Sequence, residues 1–228
     1  MSLVWDSLIG IQQTFEEAFD KTGTEIEEPG MDRFNQPGWV NRVWTSDKYR
    51  RAHVDVVDAR EGKGLWMMHC CIFPHLQNDG PIFGFDVIAG KNKITGCFHD
   101  YSATQNTHHV MIAGFGEEVA KLEWRKQREL PDWAKAIFSD HMVAAGNVNK
   151  EDEIHQIEGL ARHSVASYLD EIDFFNDMGD SDKGKETQNR YAYYQKQNPH
   201  TPRTMAALGL DEDDVHVFIQ ECLFPDIE

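Results

Sequence analysis

The sequence predicts an α+β fold, a three-layer α/β/α sandwich in which a central antiparallel sheet is flanked by helices. Five strand-like runs follow one another in a single block, with helical patterns before and after them. The breaks between the runs are too short for helical crossovers, so neighbours must pair as antiparallel hairpins. Two of the runs, residues 66–74 and 82–88, are apolar on both faces. A sheet containing them needs cover on both sides.

The elements follow in order. Between Asp6 and Lys21, Leu8, Ile11, Phe15 and Phe19 recur at helical spacing, with Asp6 available as a cap. Residues 22–38 are punctuated by Gly and Pro and read as irregular. The strand runs cover residues 39–46, 50–59, 64–73, 82–90 and 93–101. A helix is expected over 110–126, a short one over 132–138 and a sixth strand over 141–145. Helices over 151–175, 185–197 and 201–222 complete the chain. No Pro/Gly-rich linker interrupts the chain, so residues 1–228 read as one domain.

Composition narrows the function. Lys and Arg number 22 against 39 Asp and Glu, a formal charge of −17. That balance argues against a nucleic-acid binder, which needs a basic face. The four cysteines include the adjacent pair Cys70-Cys71 and form no spaced framework, so a reduced, cytoplasmic compartment is expected. The N-terminal stretch carries acids and no long apolar run, unlike a signal or transit peptide. No run approaches the ~20 apolar residues of a membrane span. A monomer is expected.

The two doubly apolar runs each carry one ionisable residue, His69 and Asp86. Burying either is costly unless it is paired or shifts its pKa. Pairing Phe73 with Ile82 across the loop 74–81 places His69 opposite Asp86. Pairing Arg60 with Gly64 across Glu61-Gly62-Lys63 places Asp55 opposite His69. Directly opposed Cβ atoms lie ~4.5–5.5 Å apart. Asp55, His69 and Asp86 then form a row across three strands on one face. Such a row titrates as a coupled set, raised by apolar surroundings and lowered by a protonated imidazole. Either it is a hydrogen-bonded core triad, or it stores and delivers protons near neutral pH.

The residues around this row resemble the ferredoxin-dependent bilin reductases. The resemblance rests on His69, Cys70, Phe73-Pro74 and Phe83-Gly84-x-Asp86. It continues through Arg128-Glu129-Leu130-Pro131-Asp132-Trp133, Ile137-Phe138-Ser139-Asp140, Gln197-Asn198 and Leu223-Phe224-Pro225. The ordered set runs from about Trp39 to the C-terminus and is closest to the phycocyanobilin-forming branch. It implies an α/β/α sandwich holding biliverdin IXα between the sheet and the C-terminal helices. It also implies reduction by single electrons from an external [2Fe-2S] ferredoxin, with no tightly bound cofactor and no metal. The chain accordingly shows no Gly-rich dinucleotide fingerprint and no cysteine set for a cluster.

By the same resemblance, Asp86 is the central proton donor and His69 its catalytic neighbour. Asp55 stands where that branch carries Glu, and Asn198 matches a pocket Asn. The family's next residue is usually an Asp that helps protonate the tetrapyrrole, followed by a basic residue; here they are Pro199 and His200. His200 is the candidate replacement. The missing Asp and the compact N-terminus point to a phage-type relative that makes phycoerythrobilin via 15,16-dihydrobiliverdin. Phycocyanobilin is the alternative product, and a non-catalytic bilin carrier the alternative class.

An acidic ferredoxin would dock on a local basic patch, of which the sequence offers two. One is residues 41–51, with Arg42, Lys48, Arg50 and Arg51; the other is residues 121–135, with Lys121, Arg125, Lys126, Arg128 and Lys135. His108-His109 and His99-Asp100 lack metal-ligand spacing and read as surface or loop histidines. Cys70 and Cys71, adjacent on a strand, are expected to be buried thiols on opposite faces. Tyr191, Tyr193, Tyr194 and Trp133 suit either helix packing or contact with a flat tetrapyrrole.

Overall fold

The computed structural model describes residues 2–228. The apolar stripe at the N-terminus forms α1 (Leu3–Thr22), which buries Leu8, Ile11, Phe15 and Phe19. Seven strands follow as an antiparallel meander in sequence order: β1 (Thr24–Ile26), β2 (Trp39–Thr45), β3 (Arg51–Ala59), β4 (Leu65–Phe73), β5 (Ile82–Gly90), β6 (Lys93–Ser102) and β7 (Val143–Val148). The β3–β4 connection is a helical turn, α2 (Arg60–Lys63), in which Gly62 and Gly64 take φ of +92° and +61°. Those left-handed values suit glycine and tighten the hairpin. The remaining helices are α3 (Val110–Val119), α4 (Asp132–Lys135), α5 (Glu151–Glu171), α6 (Ser181–Gln195), α7 (His200–Leu208) and α8 (Glu212–Val217).

Strand alternation divides the interior into two cores. Trp66, Met68, Cys70, Phe83, Phe85 and Val87 face α1, α3 and α5. Met67, Cys71, Phe73 and Ile82 face α6, α8 and the π-helical turn Phe218–Leu223. Cys70 and Cys71 are thus buried on opposite faces. The result is the three-layer sandwich. Among the described residues, no helix is long and apolar enough to cross a membrane.

Several expectations need correction. Residues 22–38, read as irregular, contain the edge strand β1, whose three residues are all exposed and so carry no burial pattern. The expected helix over 110–126 ends at Val119. Beyond it the Arg125 amide binds Glu153, and residues 126–128 run beside β7, with Arg128 N–H donating to Ala144 O. This segment covers an otherwise open sheet edge. The sixth predicted strand runs from Val143 to Val148, and the His141 ring before it is seated against Gly116. The helix expected over 151–175 is α-helical only to Glu171 and ends in a 3-10 turn, Ile172–Phe175. The helix expected over 201–222 is two helices and a π-turn, broken where Gly209 takes φ +114°. His99 and His109 are buried, not surface residues: His99 bonds Gly84 O and Ser164 Oγ, and His109 caps α3.

Candidate active site

The predicted register holds. Asp55 pairs with His69, and His69 with Asp86, across β3, β4 and β5. Two short hairpins fix this register, and a one-residue slip would send the whole row into the opposite core. The row lies on the face toward α6 and α7.

Its electrostatics differ from the mutual depression expected of a carboxylate–imidazolium set. Burial lowers the His69 pKa to about 4, and nearby Arg51 adds to the effect. A neutral imidazole cannot stabilise the carboxylates beside it. Burial therefore pushes Asp86 up to about 7. Asp55 also rises to about 7 through burial and the Asp86 charge, against a 2.6 Å hydrogen bond from Trp39 Nε1. The protons near neutral pH reside on the two carboxyls.

No side-chain hydrogen bond joins Asp55, His69 and Asp86 among the described residues, so the row is not a satisfied core triad. Asp55 is 1% exposed and held by Trp39, whereas Asp86 opens into a cavity. That cavity has about 780 Å3 of open space between the sheet, the segment 128–142 and the end of α6. A second, of about 520 Å3, adjoins it beneath α7 and reaches Asp55. Both are lined by His69, Asp86, Gln195, Asn198 and His200. Together they make a concave, partly apolar cleft over the acidic row, the usual setting of a small-molecule site.

Each of the five site residues picked out by sequence borders one or both cavities. Asn198 Oδ1 accepts from His200 N–H at 3.0 Å, so this side chain also starts α7. Pro199, the N-cap of α7, adds no acid. His200 is exposed at the cavity rim.

Sequence reading missed other members. His53, two residues before Asp55 on β3, shares its face; strand alternation was the available signal. His53 Nδ1, His69 Nε2 and Arg51 Nη1 are buried without a protein partner. Arg51 is fixed by two 2.7 Å bonds to Glu28 and one of 2.8 Å to Cys222 O. Asp100 also lines the larger cavity, where it accepts from Ser102 Oγ and from Ser139 N–H and Oγ. Those bonds anchor the wall segment that carries Phe138. Nothing in the local sequence marked Trp39 as the donor to Asp55, because it reaches diagonally from β2.

Of the two basic stretches, 41–51 is spent internally. Arg42 pairs with Glu16, Asp20 and Glu25, Lys48 with Asp173 and Arg51 with Glu28, while Arg50 binds Gln188. In the other stretch, Lys121 and Arg125 are paired with acids. Lys126, Arg128 and Lys135 are exposed and, among the described residues, form no ion pair. Arg128 lines the larger cavity. Arg190, exposed on α6, donates to Ala136 O at 2.7 Å.

Comparison with known proteins yields consistent matches. The family model described as ferredoxin-dependent bilin reductase matches residues 4–225. A phycocyanobilin:ferredoxin oxidoreductase from Prochlorococcus marinus (strain MIT 9313) is 27% identical over 180 residues, covering 78% of this chain and 67% of that protein. A solved structure described as PcyX has a TM-score of 0.75 and 35% identity, covering 97% of this chain and 99% of its own. Tomato phytochromobilin synthase in complex with biliverdin has a TM-score of 0.71 at 14% identity, covering 94% and 81% respectively, a likeness of fold.

Proposed function

The chain belongs to the ferredoxin-dependent bilin reductase family, and from that premise we propose that it reduces biliverdin IXα to phycoerythrobilin via 15,16-dihydrobiliverdin. The observation that carries the mechanism is the Asp86 carboxyl, raised to about 7 and open to the cavity without a protein partner.

Each double-bond reduction adds two electrons and two protons. Ferredoxin delivers the electrons singly, so the bilin passes through radicals, and each electron needs a placed proton. Asp86, protonated near neutral pH, gives its proton to the bilin. Neutral His69 lies between Asp86 and Asp55, and Asp55 holds a second proton within the row. His200 and Asn198 contact the bilin from the α7 side, and Arg128 pairs with a propionate at the rim. Ferredoxin docks on the exposed cations Lys126, Arg128 and Lys135, of which Arg128 lines the cavity. The enzyme is a monomer, acts in the cytoplasm and binds no cofactor tightly.

The proposed product rests on position 199. A Pro there removes the carboxyl that, in the resemblance, serves the opposite side of the tetrapyrrole. The phage-type relatives that the chain resembles reduce the 15,16 bridge first, and the product is proposed on that resemblance. The named Prochlorococcus relative favours phycocyanobilin as the second reading. Anaerobic mixing of the purified protein with biliverdin, followed by reduced ferredoxin and chromatographic separation of products, decides among these. Phycoerythrobilin, preceded by 15,16-dihydrobiliverdin, is expected. Phycocyanobilin would overturn the product assignment. A spectral shift on mixing with no change after ferredoxin would make the protein a carrier.

A further inference from the structure

We propose that the Tyr191 hydroxyl donates a hydrogen bond to a terminal lactam carbonyl of the bound tetrapyrrole and so fixes which part of the bilin lies over Asp86. The proposal rests on the bilin-reductase reading above and names a substrate-binding residue for it.

Tyr191 and Gln195 lie at i and i+4 on α6, Asn198 follows three residues beyond the helix end, and all three line the larger cavity. They form a polar stripe that ends at Pro199. Two members of the stripe have committed groups. Asn198 Oδ1 caps α7 at 3.0 Å, and Gln195 Nε2 donates to Tyr191 Oη at 2.8 Å. Tyr191 is thereby an acceptor from Gln195, with its own hydrogen still to place. The polar protein atom within reach is Cys71 Sγ at 3.8 Å, a weak thiol contact. The stronger acceptor for that hydrogen is a ligand in the cavity.

The hydroxyl is also held in place. Tyr191 is 3% exposed, and its ring makes edge contacts with Phe73, Phe138 and Phe224 at centroid distances of 6.0, 6.3 and 6.5 Å. A Cβ built on Gly84 would stand 3.2 Å from Tyr191 Oη. The absent side chain at Gly84 therefore makes room for the hydroxyl. Gly84 precedes Asp86 by two residues on the same face of β5, a separation of ~6.5–7 Å. Donor and acid are thus about one pyrrole ring apart on one wall. Burial keeps the phenol protonated well beyond the usual tyrosine range, so it serves as a hydrogen-bond donor.

Tyr191→Phe removes the hydroxyl and keeps the ring. The variant is expected to melt like the parent and to bind biliverdin about tenfold more weakly, the effect of one lost hydrogen bond. Its bound-bilin spectrum should shift, and its ratio of intermediate to final product should change under reduced ferredoxin. Tyr193→Phe, which removes an exposed hydroxyl two residues away, should change none of these. Wild-type affinity, spectrum and product ratio in Tyr191→Phe would overturn the proposal. Should that variant fold poorly, Gly84→Ala serves instead, since its methyl displaces the hydroxyl and should produce the same spectral shift. An unshifted spectrum there would equally overturn the proposal. If the parent itself binds biliverdin but does not turn over, the reductase reading fails, while the binding comparison still decides the role of Tyr191.

Discussion

At the residue scale, Asp86 is set apart by the absence of a compensating charge. Burial, with a smaller push from Arg51, keeps His69 neutral, so no cation offsets the desolvation of the carboxyl, which rises to about 7. Turnover should therefore fall as pH rises through about 7 in a profile of kcat against pH, because the ionised carboxylate has no proton to give. Asp86→Asn should bind biliverdin and stall with a bilin radical detectable by electron paramagnetic resonance; full turnover would remove Asp86 from its role. The same shift has a consequence for stability. The folded pKa of Asp86 lies above its ordinary value of 3.8, so its contribution is fully present below about pH 4 and is lost as pH rises to 7. Asp86→Asn should then gain in melting temperature over the parent at pH 8.5 relative to pH 5. Each kcal/mol regained corresponds to roughly 2–4 °C in a chain of this length. An identical difference at both pH values would contradict the assigned cause.

At the element scale, α6 carries Tyr191 and Gln195, and its seat is set by Gly184. A Cβ there would stand 1.9 Å from the Leu76 carbonyl oxygen, a backbone atom that cannot swing aside. Gly184→Ala should lower stability by ~1–3 kcal/mol, the usual cost of overpacking, and weaken biliverdin binding by displacing Tyr191 and Gln195. Gly159→Ala on α5, where a Cβ meets nothing within 4 Å, should instead stabilise by ~0.5–1 kcal/mol through helix propensity. Thermal melts and a biliverdin titration measure both. The strands were readable because alternation and hairpin length act locally. The element ends were less so: α3 stops early because Glu153 and β7 claim the chain beyond it, and the C-terminal helix breaks at Gly209.

At the scale of the whole molecule, a net charge of −17 opposes the approach of an acidic electron donor. Much of the protein's positive charge is also spent internally. Arg42 alone pairs with three acids, which removes residues 41–51 as a docking face. Arg128, exposed and without an ion pair among the described residues, lines the larger cavity, and Lys126 and Lys135 are exposed on the same segment of chain. Ferredoxin-driven turnover should slow several-fold between low and ~0.3 M salt, since screening acts on the exposed pairs that form the encounter. Lys135→Glu should raise the ferredoxin KM without changing biliverdin affinity. Salt-independent turnover would exclude this face.

Six of the seven strands, the register of β3, β4 and β5 and the row Asp55–His69–Asp86 were legible in the sequence. Strand parity and two short hairpins leave little freedom there, so the acids could be paired on paper. Tertiary structure decided what the row does with its protons. His69 is kept neutral first by its burial between packed layers, and further by Arg51, which Glu28 and the Cys222 carbonyl hold from distant parts of the chain. The Trp39 bond to Asp55, the Tyr191 hydroxyl over Gly84 and the internal use of Arg42 likewise join residues that no local pattern connects. Hydrogen bonding and desolvation act through space, whereas periodicity and turn length act along the chain. The positions of the acids therefore follow from the sequence, and their pKa values and partners from the fold.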